Sequence, residues 1–203
     1  MIKTSCNYIS KNLVAVSFDT ATFQDLLCFV KEHTGYTLTR FDPLDFLDTK
    51  PDMNTAHINL VIKDVRLRKK ITQHLDLYNS PRFSLLHDKA CINNAVIDDG
   101  CFIYPLASIY PNCKLEKDVI VHSSSAIGHK CIIQTGVYIS GGVSIGGGTC
   151  IGSFTQLNLN STLYDNIDLC NDINIGAGSI VRKSIKQPGT YSNQLQNKLV
   201  KIK

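Results

Sequence analysis

The sequence has no tryptophan and only two methionines, and none of its eight cysteines forms a C-x-x-C pair. Without such pairs the thiols do not read as a zinc ribbon or a redox motif. No stretch approaches the roughly eighteen uninterrupted apolar residues of a membrane-crossing helix. The opening MIKTSCNYISKN has no apolar core of the kind a secretion signal carries. The chain is therefore expected in the cytoplasm, with its cysteines reduced and used as small core fillers. Excess charge is also scarce: 21 Lys+Arg against 17 Asp+Glu leaves +4, too mild a balance for a nucleic-acid partner. An apolar content of 43% over 203 residues excludes disorder and is enough for one medium domain or two small ones.

Glycine is almost missing from the first half, with twelve of the thirteen at or after Gly100. The same region carries an internal repeat. Stepping by six from Ile97 to Val181 meets only Ile, Leu or Val, fifteen times in succession. A second column two residues earlier, from Ala95 to Ser179, holds nothing larger than Ile. Period six fits neither an amphipathic helix nor a hairpin sheet. It fits a parallel β-helix with three faces to a coil, and its length predicts about five coils stacked at the roughly 4.8 Å spacing of paired strands. The large aliphatic points to the axis, the small residue fits beside it, and turn glycines follow the aliphatic, as at Gly128, Gly146, Gly152 and Gly176. Residues eighteen apart then stack, which sets Cys113 under Cys131 either as a disulfide or as two packed thiols. No charged residue occurs between Cys131 and Tyr164. Neutral outer faces point to packing against other copies, and a three-sided prism suits three-fold closure, so a homotrimer is expected.

Before residue 90 the pattern changes. NLVAVSF (Asn12 to Phe18), Thr37 to Phe41, HINLVI (His57 to Ile62) and Arg82 to Leu86 read as strands. ATFQDLLCFVKEHTG reads as a helix closed by Gly35, and Arg66 to Tyr78 as a basic amphipathic one. Alternating strands and helices predict a small parallel α/β domain. The expected division is an α/β domain over 1–88, a β-helix over 89–183 and a basic tail over 184–203. After Val181 the chain leaves the repeat, and 182–203 carries six basic groups and no acid.

His33, His57, His74 and His87 belong to or adjoin the α/β part, where packed or solvated roles are the default. His122 and His129 fall near corners of the repeat, where side chains point outward, and the charge-free surroundings favour a cleft between copies for His129. Some β-helix proteins, the γ-class carbonic anhydrases, hold zinc with three histidines. Here two lie seven apart with no third in the repeat, so a metal site is short of donors.

The stretches VIVHSSSAIGHKCIIQTGVYISGGVSIGGGTCIG and INIGAGSIVRKSI resemble the bacterial hexapeptide-repeat sugar acyltransferases, in particular the nucleotide-amino-sugar N-acetyltransferases and sialic-acid O-acetyltransferases. The likeness covers nearly the whole chain. It implies a mainly β fold in which a small Rossmann-like sugar-acceptor domain precedes a left-handed parallel β-helix, assembled as a homotrimer that uses acetyl-CoA and no metal. VIKDVRLRKKI is similar to the family's strand, Asp, and helix with an Arg four residues on, which implies that Asp64 and Arg68 face the sugar nucleotide. By the same resemblance His129 is the catalytic base, and Gly147, in the run GGG, offers a backbone N–H to the oxyanion. Tyr138, Gly147, Leu159 and Ala177 would line pantetheine, Lys183 would meet a phosphate of CoA, and His122 would sit on the substrate side. The chemistry accords with the assignment: an attacking amine or hydroxyl must lose a proton, and an imidazole titrating near about 6.5 is matched to take it.

The chain departs from that family at several places. Lys130 stands where an acid usually follows the histidine, His122 where Asn is common, and Tyr138 where His is frequent. Ser17 to Phe23 has no glycine, so a phosphate-cradling loop after the first strand cannot form in the usual way. YSNQLQN replaces the family's closing GNP. The implied activity is acetyl transfer to an amino or hydroxyl group of a bacterial surface-polysaccharide sugar or sugar nucleotide. The alternative is a non-catalytic trimeric β-helix that binds a ligand or partner through a degenerate site.

Overall fold

A computed structural model of the chain describes residues 12–16, 36–52, 55–59, 64–193 and 200–202. The chain divides into two compact units, Met1–Leu85 and Leu86–Lys203. In the first unit, strands β1 (Asn12–Val16), β2 (Thr37–Phe41) and β3 (Ala56–Asn59) form a parallel sheet in the order β2-β1-β3. The central strand is the apolar one, as a parallel strand covered on both faces requires, and Leu13, Ala15 and Val16 are fully buried. Helix α1 (Pro43–Leu47) starts on Asp42, whose side chain accepts from the Leu44 N–H at 2.9 Å, with Pro43 at the first helical position. Helix α2 (Val65–Leu77) starts on Asp64, which accepts from the Leu67 N–H at 3.0 Å. Its Leu67, Ile71 and Leu75, four residues apart, make the buried stripe that packs with Val16 and Phe46.

The expected strand over Arg82 to Leu86 shrinks to Leu85–Leu86 and a single bridge between Arg82 and His57. Arg82 is 5% exposed and spends its guanidinium on Asp76, at 2.8 Å, and on the Thr72 carbonyl, at 3.0 Å. The helix expected over ATFQDLLCFVKEHTG and the far end of the His57 to Ile62 strand lie outside the described residues.

The second unit is a parallel β-solenoid. Two-residue strands stack every eighteen residues on three sheets: a first face through Phe102, Ile120, Tyr138 and Gln156, a second through Ser108, Ala126, Ser144 and Thr162, and a third through Lys114, Ile132, Cys150 and Asp168. The inner ladder from Ile103 to Val181 is buried throughout and forms one continuous core. Each such aliphatic contributes about 1.5–3 kcal/mol on burial. The small residues beside the ladder from Cys101 on are buried too, and the hydroxyl or thiol of Cys101, Cys113, Ser125, Cys131, Thr149 and Thr155 donates to the carbonyl fifteen residues on. Cys101 to Glu116 (3.1 Å), Ser125 to Ser140 (2.7 Å) and Cys131 to Gly146 (3.2 Å) are examples. This disposes of buried polar atoms without charge and explains why cysteine suits the column. Cys113 and Cys131 are both free thiols.

Three expectations about the coils are corrected. The second face has six strands, so the solenoid has about six coils rather than five. The extra rung begins at Cys91–Ile92, and Ile92 precedes Ile97 by five residues, out of hexad step. Nor does the chain leave the solenoid after Val181: Ile185 is 8% exposed and bridges to Leu169, and Gly189–Ser192 pairs in parallel with Ile173–Ile175. The third correction concerns the corners. From Gly100 on, the left-handed residue of each corner lies three positions after the aliphatic; Gly100, Gly136, Gly142, Gly148 and Gly178 occupy it, as do Asn112, Asp118, Asn160, Asn166 and Asp172, and also Leu106, Ser124, Lys130 and Phe154. Gly128, Gly146 and Gly152 follow the aliphatic directly for a different reason, which is contact between coils. A Cβ on Gly146 would stand 2.5 Å from the Asp165 nitrogen, and one on Gly152 2.5 Å from the Asn171 nitrogen.

Candidate functional site

The eighteen-residue stacking sorts the candidate residues onto two edges of the prism. His129, Gly147 and Lys183 follow strands of the second face and stand on the edge it shares with the third. Asp165 completes that column between Gly147 and Lys183. His122, Leu159 and Ala177 follow strands of the first face, on its edge with the second, and Tyr138 lies on a strand of the first face itself. The second face, presenting Ser108, Ala126, Ser144 and Thr162, separates the two edges within one chain.

Around His129 the edge is stripped of side chains. Gly128, Gly146, Gly147 and Gly148 leave only backbone there, and the exposed imidazole fills the space above Gly147. Its Cε1 and Nε2 lie 2.8 Å from where a Cβ on Gly147 would be. Of the three glycine N–H groups, those of Gly146 and Gly148 are used between coils, to the carbonyls of Leu163 (2.9 Å) and His129 (2.8 Å). The Gly147 N–H points away from that ladder and donates to Asp165 Oδ1 at 2.7 Å. Lys130, in place of an acid, occupies the left-handed corner with φ 58°. Above this level Tyr164 is half exposed, with the Arg182 guanidinium 5.5 Å from its ring centre. Lys183 is exposed.

On the other edge His122 is built into an aromatic cluster. Its ring stacks on Tyr104 at 4.2 Å and 13°, and its Nε2 lies 2.9 Å from the Tyr138 hydroxyl. Burial pushes the His122 imidazole below its usual range, so it is neutral at pH 7. Phe102, 4.9 Å from Tyr104, extends the cluster. Tyr104 and Asp165 were not singled out from the sequence. Each nonetheless sits eighteen residues from a residue that was, Tyr104 before His122 and Asp165 after Gly147, and that period is the signal that finds them.

Asp64 and Arg68 have local duties. The Asp64 carboxylate caps α2, and Arg68 is 1% exposed on the helix's buried face. Leu159 is 58% exposed on its edge. Among the described residues no group of three or more His, Cys, Asp or Glu converges as a metal site would require, and His122 and His129 stand on different edges. Also among the described residues, no helix is long and apolar enough to cross a membrane.

No family model matches the chain. Solved structures do. The acetyltransferase domain of PglB from Neisseria gonorrhoeae is 16% identical with a TM-score of 0.79 over 95% of this chain and 100% of that one, and it has also been solved in complex with acetyl coenzyme A. A variant of perosamine N-acetyltransferase from Caulobacter crescentus, in complex with CoA and GDP-perosamine, is 12% identical with a TM-score of 0.74 over 94% of this chain and 95% of that one. WeeI from Acinetobacter baumannii is 17% identical with a TM-score of 0.62 over 94% of this chain and 99% of that one. At such identities the likeness is one of fold: over almost its whole length the chain shares the architecture of the PglB acetyltransferase domain and of perosamine N-acetyltransferase.

Proposed function

We propose that the protein is an acetyl-CoA-dependent acetyltransferase of the bacterial hexapeptide-repeat class, acting on an amino group of a sugar or sugar nucleotide, with a hydroxyl as the other acceptor chemistry. The observation that carries this reading is the exposed His129 imidazole held against Gly147 on a glycine-cleared edge, in a fold whose solved examples include complexes with CoA and acetyl-CoA. His129 takes the proton from the attacking amine or hydroxyl as it adds directly to the thioester carbonyl, with no covalent enzyme intermediate. The Gly147 N–H would be the donor for the developing oxyanion. Tyr138, Leu159 and Ala177 would line pantetheine, Lys183 would meet a phosphate, and His122 would lie on the acceptor side.

The two edges argue for assembly. Within one chain His129 and Gly147 are separated from Tyr138, Leu159 and Ala177 by the width of the second face, so a second copy would bring one edge against the other. A homotrimer built on a left-handed coil, with the first unit as a Rossmann-like acceptor domain, completes the reading. Asp64 and Arg68 would then act on the acceptor indirectly, by fixing the start of α2.

A second reading, a non-catalytic binding protein, draws on Lys130 and on the capped Gly147 N–H. Calorimetry with acetyl-CoA followed by a labelled-acetyl assay over nucleotide-linked amino sugars and free nonulosonic acids separates them. Saturable binding with transfer supports the enzyme. Absence of acetyl-CoA binding refutes it.

A further inference from the structure

The amide proposed above as the oxyanion donor is held by Asp165. Its Oδ1 accepts the Gly147 N–H at 2.7 Å, and this is the one amide of the glycine run that the coil-to-coil ladder leaves free to point outward. The same amide lies under the His129 ring, whose Nε2 is 2.8 Å from the position of a Gly147 Cβ. On the reading proposed above, this N–H is the donor for the carbonyl oxygen of the acyl thioester. One hydrogen directed at 2.7 Å toward a carboxylate cannot also serve a second, negatively charging oxygen, because the two oxygens would repel. The equivalent amide one hexad on shows the device without the chemistry. The Ser153 N–H is held by the neutral side chains of Asn171 (2.9 Å) and Gln134 (3.1 Å), and the side chain on Gly152 beneath is absent as at Gly146. Two hexads before Gly147 the Thr135 N–H is likewise held by an acid, Glu116 Oε2 at 3.1 Å, but among the described glycines only Gly147 has an imidazole lying against it.

We infer that Asp165 is a built-in competitor for the acyl-oxygen site: it holds the Gly147 N–H when the site is empty and is displaced when an acyl thioester binds. The inference rests on the acetyl-CoA reading. It identifies Asp165 as the residue that sets discrimination between acyl-CoA and free CoA, since only the acylated form carries an oxygen that competes. Displacement costs a charge-assisted hydrogen bond, so the competitor weakens acetyl-CoA and leaves CoA untouched.

The test is calorimetry of acetyl-CoA and CoA with the full-length wild type, Asp165→Ala and Asp165→Asn. Removing the competitor should raise the ratio Kd(CoA)/Kd(acetyl-CoA) by about tenfold in Asp165→Ala, the size one charge-assisted hydrogen bond commonly controls. Asp165→Asn keeps an oxygen on the amide but no charge, and should give a smaller rise in the same direction. A merely structural cap would change both affinities together and leave the ratio fixed. An unchanged ratio in Asp165→Ala overturns the inference, and if that variant does not fold, an unchanged ratio in Asp165→Asn does so. Wild type that binds acetyl-CoA with no change of ratio on substitution rejects the competitor alone. Wild type that binds neither ligand rejects the acetyltransferase reading and the competitor with it.

Discussion

Gly146 and Gly147 are adjacent, both lack the left-handed conformation, and each is crowded from one side, yet alanine at the two positions should do opposite things. At Gly147 the three atoms nearest the new Cβ all belong to the imidazole of His129, Cε1 and Nε2 at 2.8 Å and Cδ2 at 3.2 Å. The ring is exposed and can swing, at a cost of about 0.5–1.5 kcal/mol if it leaves its rotamer. Restoring ordinary carbon contact of about 3.5–4.0 Å moves the ring by about 1 Å. Misplacement of that size commonly costs on the order of 10²-fold in rate. At Gly146 the Cβ instead meets backbone of the next coil, 2.5 Å from the Asp165 nitrogen and 2.6 Å from the Tyr164 carbonyl carbon. Those atoms belong to the ladder and move only if the coils part, which should cost about 1–3 kcal/mol. Thermal melts and a labelled-acetyl transfer assay on both variants read the two effects. Gly147→Ala should melt close to wild type and lose about 10²-fold in kcat, whereas Gly146→Ala should melt lower. Near-normal turnover by well-folded Gly147→Ala would refute the claim that the position of this imidazole matters.

Three further predictions follow from the packing. Burial pushes His57 down from 6.5 to about 4, so the folded state keeps it neutral while the unfolded chain takes up a proton below pH 6.5. Stability should therefore fall as pH drops from 6.5 toward 4 and level off below, by up to about 3 kcal/mol, and urea melts of His57→Gln should lose that slope. Burial also pushes the Cys131 thiol up to about 11 and raises Cys101 and Cys113. Iodoacetamide at pH 8 should label exposed Cys91 in the native protein and reach those three only after unfolding, which peptide mass mapping will show. Light scattering should give the mass of three chains; a monomeric mass would refute the assembly.

The inner ladder was fully legible because burial at the axis leaves no choice but a branched aliphatic every sixth residue. The ends were not, since Ile92 and Ile185 stack correctly while breaking the step that revealed the others. Glycine directly after the aliphatic suggests a turn, but at Gly128, Gly146 and Gly152 it is close approach of coils that excludes a side chain, and the left-handed corners accept Asn and Asp as well as glycine. Helix α1 carries a local signature, Asp42 followed by Pro43, but its five residues are too few to show a helical period. Within the candidate site His129 and Gly147 stood out through resemblance and through the glycine run. Asp165 and Tyr104 did not, because an aspartate or a tyrosine is unremarkable until the eighteen-residue stack sets it over Gly147 or His122. That the prism keeps its candidates on two edges is likewise a property of the coil and of no local motif.

The most direct test of the account is acetyl transfer from labelled acetyl-CoA to an accepted amino sugar by His129→Ala, with acetyl-CoA affinity measured on the same preparation. Loss of the general base predicts a fall in kcat of about 10²- to 10⁴-fold with the affinity for acetyl-CoA little changed. Turnover near that of the wild type would contradict the assignment of His129 as the base.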